Sequence, residues 1–324
     1  MDEAAGYLPW PNENATTAKV ERVSKAFAKG LRARLALAAG GYAQRLDGTV
    51  KLSSDPDLTP TKMYEIAKKE CLDIIGSQKL RLLGYEEVFR KLNEEAGAAG
   101  LESMWEIPFS EGRGRVIFDL GVKHLRTNQY TGQNKGGTDG PNPIMLYEYD
   151  RDDVRRDVSI VPYEWDGGNG TSGAYQVPSA LGRLYFGKYR YEWMKRRVTS
   201  TNDDGLNWMY MRYADVILML AEVNMLQGND AVAIQYLDMV RARAGMPLYA
   251  VAKTDATYAA KFPTLKLAIL HERRVEFAFE HQRWFDLIRN FTAAELVTYL
   301  KAKPQSSYGI AKLANVTTKD RYYP

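Results

Sequence analysis

The stretch "HERRVEFAFEHQRWFDLIRN", from His271 to Asn290, sets Glu272, Glu276 and Glu280 at every fourth position among Arg273, Arg274, Arg283, Asp286 and Arg289. Carboxylates in that density suggest either acid–base chemistry or a lattice of ion pairs beneath a packed domain. Glycoside hydrolysis needs two carboxyl groups about 5–9 Å apart across a sugar, one of them with a raised pKa. On a helix the three glutamates form one slowly drifting stripe. Arg273–Glu276, Glu280–Arg283, Arg283–Asp286 and Asp286–Arg289 are each three residues apart, within reach on a helix surface. A guanidinium beside each carboxylate lowers its pKa, the wrong direction for a general acid. The pattern therefore reads as a structural ion lattice, with Phe279 and Trp284 turned to the core.

Other chemistry finds less support. His124, His271 and His281 show no metal-ligand spacing, and Cys71 lies in a helical run as a small buried hydrophobe. "GRGRV" and "GGTDG" lack the strand–turn–helix setting and the terminal Lys-Ser/Thr of a phosphate loop, and there is no G-x-S-x-G elbow. "DRDDVRRD" (150–157) alternates Asp with Arg, which favours a solvated turn over a calcium site. No catalytic residue, metal or cofactor is implied.

Aromatic residues remain. Sugar rings stack their C–H faces on Trp and Tyr, while their hydroxyls seek planar polar side chains. Tyr130 lies beside Asn128, Gln129 and Asn134 in a glycine-rich loop; Tyr163, Trp165 and Asn169 form a second group, and Trp10 near the N-terminus a third. Tyr130 and Trp165 are the expected stacking platforms. Trp105, Tyr185, Tyr189 and Trp193, with apolar or alternating neighbours, are expected to anchor loops to the scaffold.

These residues need elements to position them. The 324-residue chain is 45% hydrophobic and 26% charged, ample for a globular core. A net charge of +4 without a Lys/Arg block argues against nucleic acid as a partner. No apolar run is long enough to span a bilayer. Residues 19–100 read as helices: one from Lys19 to Gln44 with Val23, Phe27, Leu31, Leu35 and Ala38 inward, one starting at Pro60, and one from Gly84 to Ala96. Residues 101–205 hold fourteen of the 26 glycines and read as an irregular loop layer, with short strands at "SMWEIPFSEG" and "RVIFDL". Residues 206–300 return to helical spacing, broken near Pro247–Pro263. Ala221, Gly228, Ala233 and Pro247 fall at the small-residue positions of a tetratricopeptide hairpin, and Ala33 and Gly40 repeat them more loosely. The expectation is a mainly α fold: one domain with a tetratricopeptide-like scaffold and an aromatic, glycine-rich loop layer.

"RYADVILMLAEVNMLQG", "AIQYLDMVRARAGMP" and "HERRVEFAFEHQRWFDLIR" together resemble the C-terminal signature of the SusD/RagB family. "VERVSKAFAKGLRARLALAAG" is similar to that family's repeat helix, and "YDRDDVRRDV" to its Asp-x-x-Arg turn. The resemblance implies a non-catalytic receptor on the outward face of the outer membrane. Such a receptor is lipid-anchored and passes oligosaccharides, or else peptides, to a SusC-like TonB-dependent transporter barrel. Members open with a lipoprotein signal and further repeat helices that do not precede Met1, and "DRYYP" resembles the start of a longer closing segment, so both ends read as cut. A helical-repeat adaptor for protein partners and a carboxylate-based glycosidase are the alternatives.

Overall fold

The computed structural model describes residues 1–132, 136–169, 173–199 and 202–302. Its backbone is mainly helical. Two antiparallel hairpins make the scaffold: α1 (Lys25–Gly40) with α2 (Pro60–Gly76), and α4 (Tyr213–Leu226) with α5 (Asp230–Arg243), α2 packing on α4. A separate helix, α3 (Tyr85–Asn93), carries its apolar face beneath the loop layer. The chain closes with α6 (Leu265–Glu276), α7 (Arg283–Asn290) and α8 (Ala293–Lys301).

Local chemistry explains the starts. Ser24 and Thr59 cap α1 and α2 by accepting the Phe27 and Lys62 amides, with Pro60 preset for the first turn of α2. Thr292 and Glu295 form a reciprocal capping box on α8. Helix α4 is buried from Tyr213 through Asn224, which is why "VILMLA" is apolar on every side rather than along a stripe.

The buried face of α1 differs from the expected one. Val23, Leu35 and Ala38 are exposed, and Ala26, Phe27, Gly30, Ala33, Leu37 and Gly40 pack inward. Small residues win because α2 approaches so closely: a Cβ on Gly40 would lie 2.9 Å from the Met63 Cβ. In the second hairpin Ala221 and Ala233 are fully buried at the crossing. Gly228, at φ +77°, makes the left-handed turn that ends α4.

The loop layer contains short antiparallel ribbons. β1 (Ser103–Ile107) pairs with β6 (Trp208–Arg212), β2 (Ile160–Val161) with β5 (Tyr185–Phe186), and β3 (Tyr163–Asp166) with β4 (Tyr175–Pro178). "SMWEI" is thus a strand, whereas "RVIFDL" is a helical turn, Val116–Leu120, whose Ile117 amide donates to Asp204. The Lys19–Gln44 helix is confined to α1, and the break near Pro247–Pro263 holds two short helices, Tyr249–Ala252 and Ala256–Lys261.

Candidate functional site

The charged segment is not one helix. α6 stops at Glu276, and Phe279 (φ +66°) and His281 (φ +58°) turn the chain before α7 begins. Of the four expected three-residue pairs only Asp286–Arg289 forms; Arg273 reaches Asp215 and Asp286 instead, each at 2.9 Å. The other glutamate partners come from distant elements. Glu272 accepts from Arg155 at 2.6 Å and Arg241 at 2.9 Å. Glu276 meets Arg155 at 3.1 Å and also Arg212 and Arg243. Glu280 accepts from Arg212 at 2.9 Å and Lys188 at 2.5 Å.

Glu102 bonds Arg212 and Arg243, and Asp153 chelates Arg155 through both oxygens. The connected group therefore holds five cations (Arg155, Lys188, Arg212, Arg241, Arg243) against five carboxylates (Glu102, Asp153, Glu272, Glu276, Glu280). A second group balances Arg34, Arg273 and Arg289 against Asp215, Glu222 and Asp286. Asp153 and Arg155 are buried, so the Asp/Arg run expected as a solvated turn instead feeds the lattice.

Burial pushes the Glu276 carboxyl up, but the Arg243, Arg212 and Arg155 guanidiniums outweigh it and hold it well below the usual carboxylate range. Glu280 is lowered likewise, its burial overcome by Arg212 and Lys188. Two carboxyls held ionised beneath a wall of guanidiniums cannot supply the raised acid that glycoside hydrolysis needs. They tie α5 and α6 to β6 and to the turn at 153–155.

The aromatic site starts from a tight loop at 126–132. Asn128 is fully buried; its Oδ1 accepts the Tyr130 and Thr131 amides at 2.9 and 3.3 Å, and its Nδ2 donates to the Arg126 carbonyl. That bonding is an Asx-type turn, the usual reason for Asn where a loop reverses. The Nδ2 also lies 3.0 Å from His124 Nδ1, which makes that nitrogen the acceptor and leaves the ring proton on Nε2. Nε2 faces Glu192 Oε2 at 3.6 Å. Burial raises Glu192, but His124 and Arg190 outweigh it and keep the carboxyl below its ordinary value.

His124 is the hub of the rings. Trp165 stacks beside it at 6.0 Å and 21°, while Tyr130 and Tyr191 meet it edge-on at 5.9 and 5.6 Å. Tyr130 and Trp165 are tilted to each other by 59° with centroids 5.4 Å apart, and Tyr163 stands edge-on to Trp165 at 5.9 Å. Strand β3 places Trp165 by bonding both ways with the preceding segment: its amide donates to the Lys123 carbonyl, and its own carbonyl accepts from the Leu125 amide. The Trp165 indole N–H has no hydrogen-bond partner among the described residues. Burial pushes the Tyr163 phenol up to about 12, so it stays neutral and accepts from Arg190 at 3.1 Å.

Tyr130, Tyr163 and Trp165, from separate sequence groups, thus come together, each half-buried rather than freely standing. Gln129 joins them at the edge, its Oε1 accepting the Ala174 amide at 2.9 Å. Asn128 is spent on the loop and presents no surface, because its oxygen and amide serve the backbone. Asn169 is exposed beyond β3, and Asn134 lies outside the described residues. Trp10 packs on the helical core with Lys25 over its ring, among different neighbours. Tyr185, Tyr189 and Trp193 are buried anchors, while Trp105 is partly buried against Phe27. Sequence reasoning missed His124 and Glu192, whose partnership joins residues 68 positions apart with no local signal. It also missed Tyr175, exposed on β4 opposite Asp166, for which the β3–β4 pairing was the needed clue.

Comparison with known proteins gives this architecture its relatives. SusD-like protein P2 of Formosa agariphila is 24% identical over 266 residues, 76% of this chain and 50% of that protein. SusD-like protein P38 of the same organism is 32% identical over 99 residues, 30% of this chain and 20% of the relative. The chain spans about half the length of the first of these. Among solved structures, a SusD homolog from Bacteroides thetaiotaomicron superposes with a TM-score of 0.70 at 23% identity, covering 96% of this chain and 63% of the other. The surface glycan-binding protein A from Bacteroides thetaiotaomicron, in complex with laminarihexaose, gives 0.62 at 19%, over 94% and 61%. At those identities the structures establish the shared fold. The sequence profile of the SusD family matches residues 111–323, from the loop layer through the charged signature, and the chain belongs to that family.

Proposed function

We propose that this protein is a non-catalytic surface receptor that binds an oligosaccharide on the Tyr130–Trp165 platform. It hands the glycan to a SusC-like TonB-dependent transporter barrel from the outward face of the outer membrane, where a lipid anchor holds the full-length protein. The carrying observation is the tilted Tyr130–Trp165 pair, 5.4 Å apart on a rigid loop and hairpin, with Tyr163 behind it. Two rings inclined to each other suit successive sugar units of a curved chain, and Gln129 and Asn169 supply planar polar groups nearby. The surface glycan-binding relative in complex with laminarihexaose supports the ligand class. The lowered carboxyls of the charged segment support the absence of catalysis.

The test is calorimetric titration with laminarihexaose and a panel of other oligosaccharides, on the parent, Tyr130→Ala and Trp165→Ala. Each variant should lose tenfold or more in affinity for the best glycan, about 1–3 kcal/mol. Because both rings are half-buried, titrations are run well below each variant's melting temperature. Unchanged glycan affinity in both variants would move the site elsewhere. Peptide binding without glycan binding would convert the protein into a peptide receptor, and sugar release during incubation would make it an enzyme.

A further inference from the structure

A cavity lies on the far side of the β2–β5 ribbon from Trp165. Neighbouring residues of a strand point to opposite faces. Tyr185 packs with Val161 and Trp165, whereas Phe186 meets Phe279 at 4.5 Å and lines a cavity of about 610 Å³. That volume is in the range of pockets that hold small organic molecules, about 300–1,000 Å³. Its apolar walls include Phe186, Phe279 and Trp284, and its ionisable lining is Arg274, Arg283, His281 and Tyr299, with no Asp or Glu among the described residues.

The two guanidiniums differ. Arg274 is neutralised by Glu148 at 2.9 Å. Arg283 donates to the Leu270 carbonyl at 2.6 Å and to the Tyr299 hydroxyl, and forms no carboxylate ion pair among the described residues. Its two nearest sequence acids are already engaged, Glu280 by Lys188 and Arg212 and Asp286 by Arg273 and Arg289. The two lattices balance their cations against carboxylates one for one, whereas Arg283, which lines the cavity, has only neutral acceptors among the described residues. Burial, helped by repulsion from Arg274, pulls its pKa below the usual arginine value despite the opposing pull of Tyr299, Asp286 and Glu148.

We propose that this cavity binds a small monocarboxylate with an apolar, ring-sized body, its carboxylate paired with Arg283 and its body against Phe186, Phe279 and Trp284. An arginine fork matches a carboxylate geometrically and gains most where water is excluded. The site is separate from the Tyr130–Trp165 platform and does not depend on that platform's ligand.

The probe is 2-naphthoate, compared by calorimetry at low salt with its neutral match 2-naphthamide and the cation 2-naphthylmethylamine. The carboxylate should bind at least tenfold tighter than the amide, and the amine least. Arg283→Gln should bring carboxylate and amide to equal affinity, and Arg283→Lys should keep part of the preference if the Gln variant folds poorly. Phe285→Ala, at an exposed ring on the rim, should weaken carboxylate and amide together by severalfold while leaving the melt unchanged. Equal binding of acid and amide by the parent, or no binding at millimolar probe, would overturn the proposal. So would loss of naphthoate binding in Tyr130→Ala, because the probe would then be occupying the aromatic platform.

Discussion

Replacing Glu276 by Gln keeps the side chain's shape and removes one charge from the centre of the larger lattice. Glu276 is fully buried and bonded to Arg155, Arg212 and Arg243, so the change leaves five cations facing four carboxylates with no water to screen them. Breaking a buried pair by removing one partner costs about 3–5 kcal/mol. An unfolding entropy of about 2.1 cal/mol/K per residue over 324 residues makes that a drop in Tm of about 4–7 °C. The second substitution Arg243→Gln restores the balance at the less deeply buried end of the lattice, so the double variant should recover part of the loss.

The same carboxyl fixes a pH dependence. A group held below its ordinary value of 4.5 stays ionised in the folded state where the unfolded chain takes up a proton. Its stabilisation is therefore complete above about pH 5 and is lost progressively as pH falls from 4.5 toward the lowered value. Urea melts from pH 7 to pH 3 should show a steeper acid decline in the parent than in Glu276→Gln. A variant that melts within 1 °C of the parent, shows the same acid slope and yet loses glycan binding would refute the structural role of the lattice.

Three further outcomes are expected. Burial, reinforced by repulsion from Arg212, lowers Lys188 to about 8, so between pH 8 and 9.5 the folded protein releases a proton that the unfolded chain keeps. Stability should therefore rise by on the order of 1–2 kcal/mol in that window, and Lys188→Met should flatten the rise in urea melts. A Cβ at Gly41 would lie 2.6 Å from the Arg289 carbonyl oxygen, so Gly41→Ala should cost about 1–3 kcal/mol by prying α1 from α7, read as a lower urea midpoint. Asn128→Ala should cost about 1–3 kcal/mol by orphaning two loop amides, and should weaken glycan binding in parallel with the lost stability. A loss of affinity at unchanged stability would instead make Asn128 a ligand contact.

The scaffold was legible because its signals are local. Ala221, Gly228 and Ala233 mark a close helix crossing by size and spacing alone, and Thr59-Pro60 announces the start of α2. On α1 the same logic was available but was misread, since Ala33 and Gly40 make the contact and the larger Leu35 faces solvent. The lattice was legible in kind but not in wiring. Arg155 and Glu272 are 117 positions apart, and Arg212 and Glu276 are 64 apart, distances at which charge spacing along one helix carries no information. Nor does "EFAFEHQ" announce that Phe279 and His281 adopt left-handed conformations, which non-glycine residues seldom do. In the loop layer Tyr130 and Trp165 were found as ring types in glycine-rich surroundings. Their common centre, His124, was invisible because a lone histidine has no periodicity to betray it.

A layer this poor in regular structure still has to hold stacking rings in place, and arginines supply the means. Arg190 bonds the carbonyls of Gly187, Val158 and Asp157 and the Tyr163 hydroxyl, so one side chain ties three chain segments together behind the aromatic cluster. Arg197 bonds the Asn128 and Thr131 carbonyls at 2.9 Å each, closing the loop that presents Tyr130. Asn93 on α3 joins the two systems, donating to the Lys188 carbonyl and accepting the Arg190 amide. Lys188 in turn ends the larger ion lattice at Glu280. The charged segment thus supports the aromatic cluster from a distance: Glu280 holds Lys188, two residues before the Arg190 that braces Tyr163. Such a chain of charge-assisted bonds makes platform geometry a property of the scaffold.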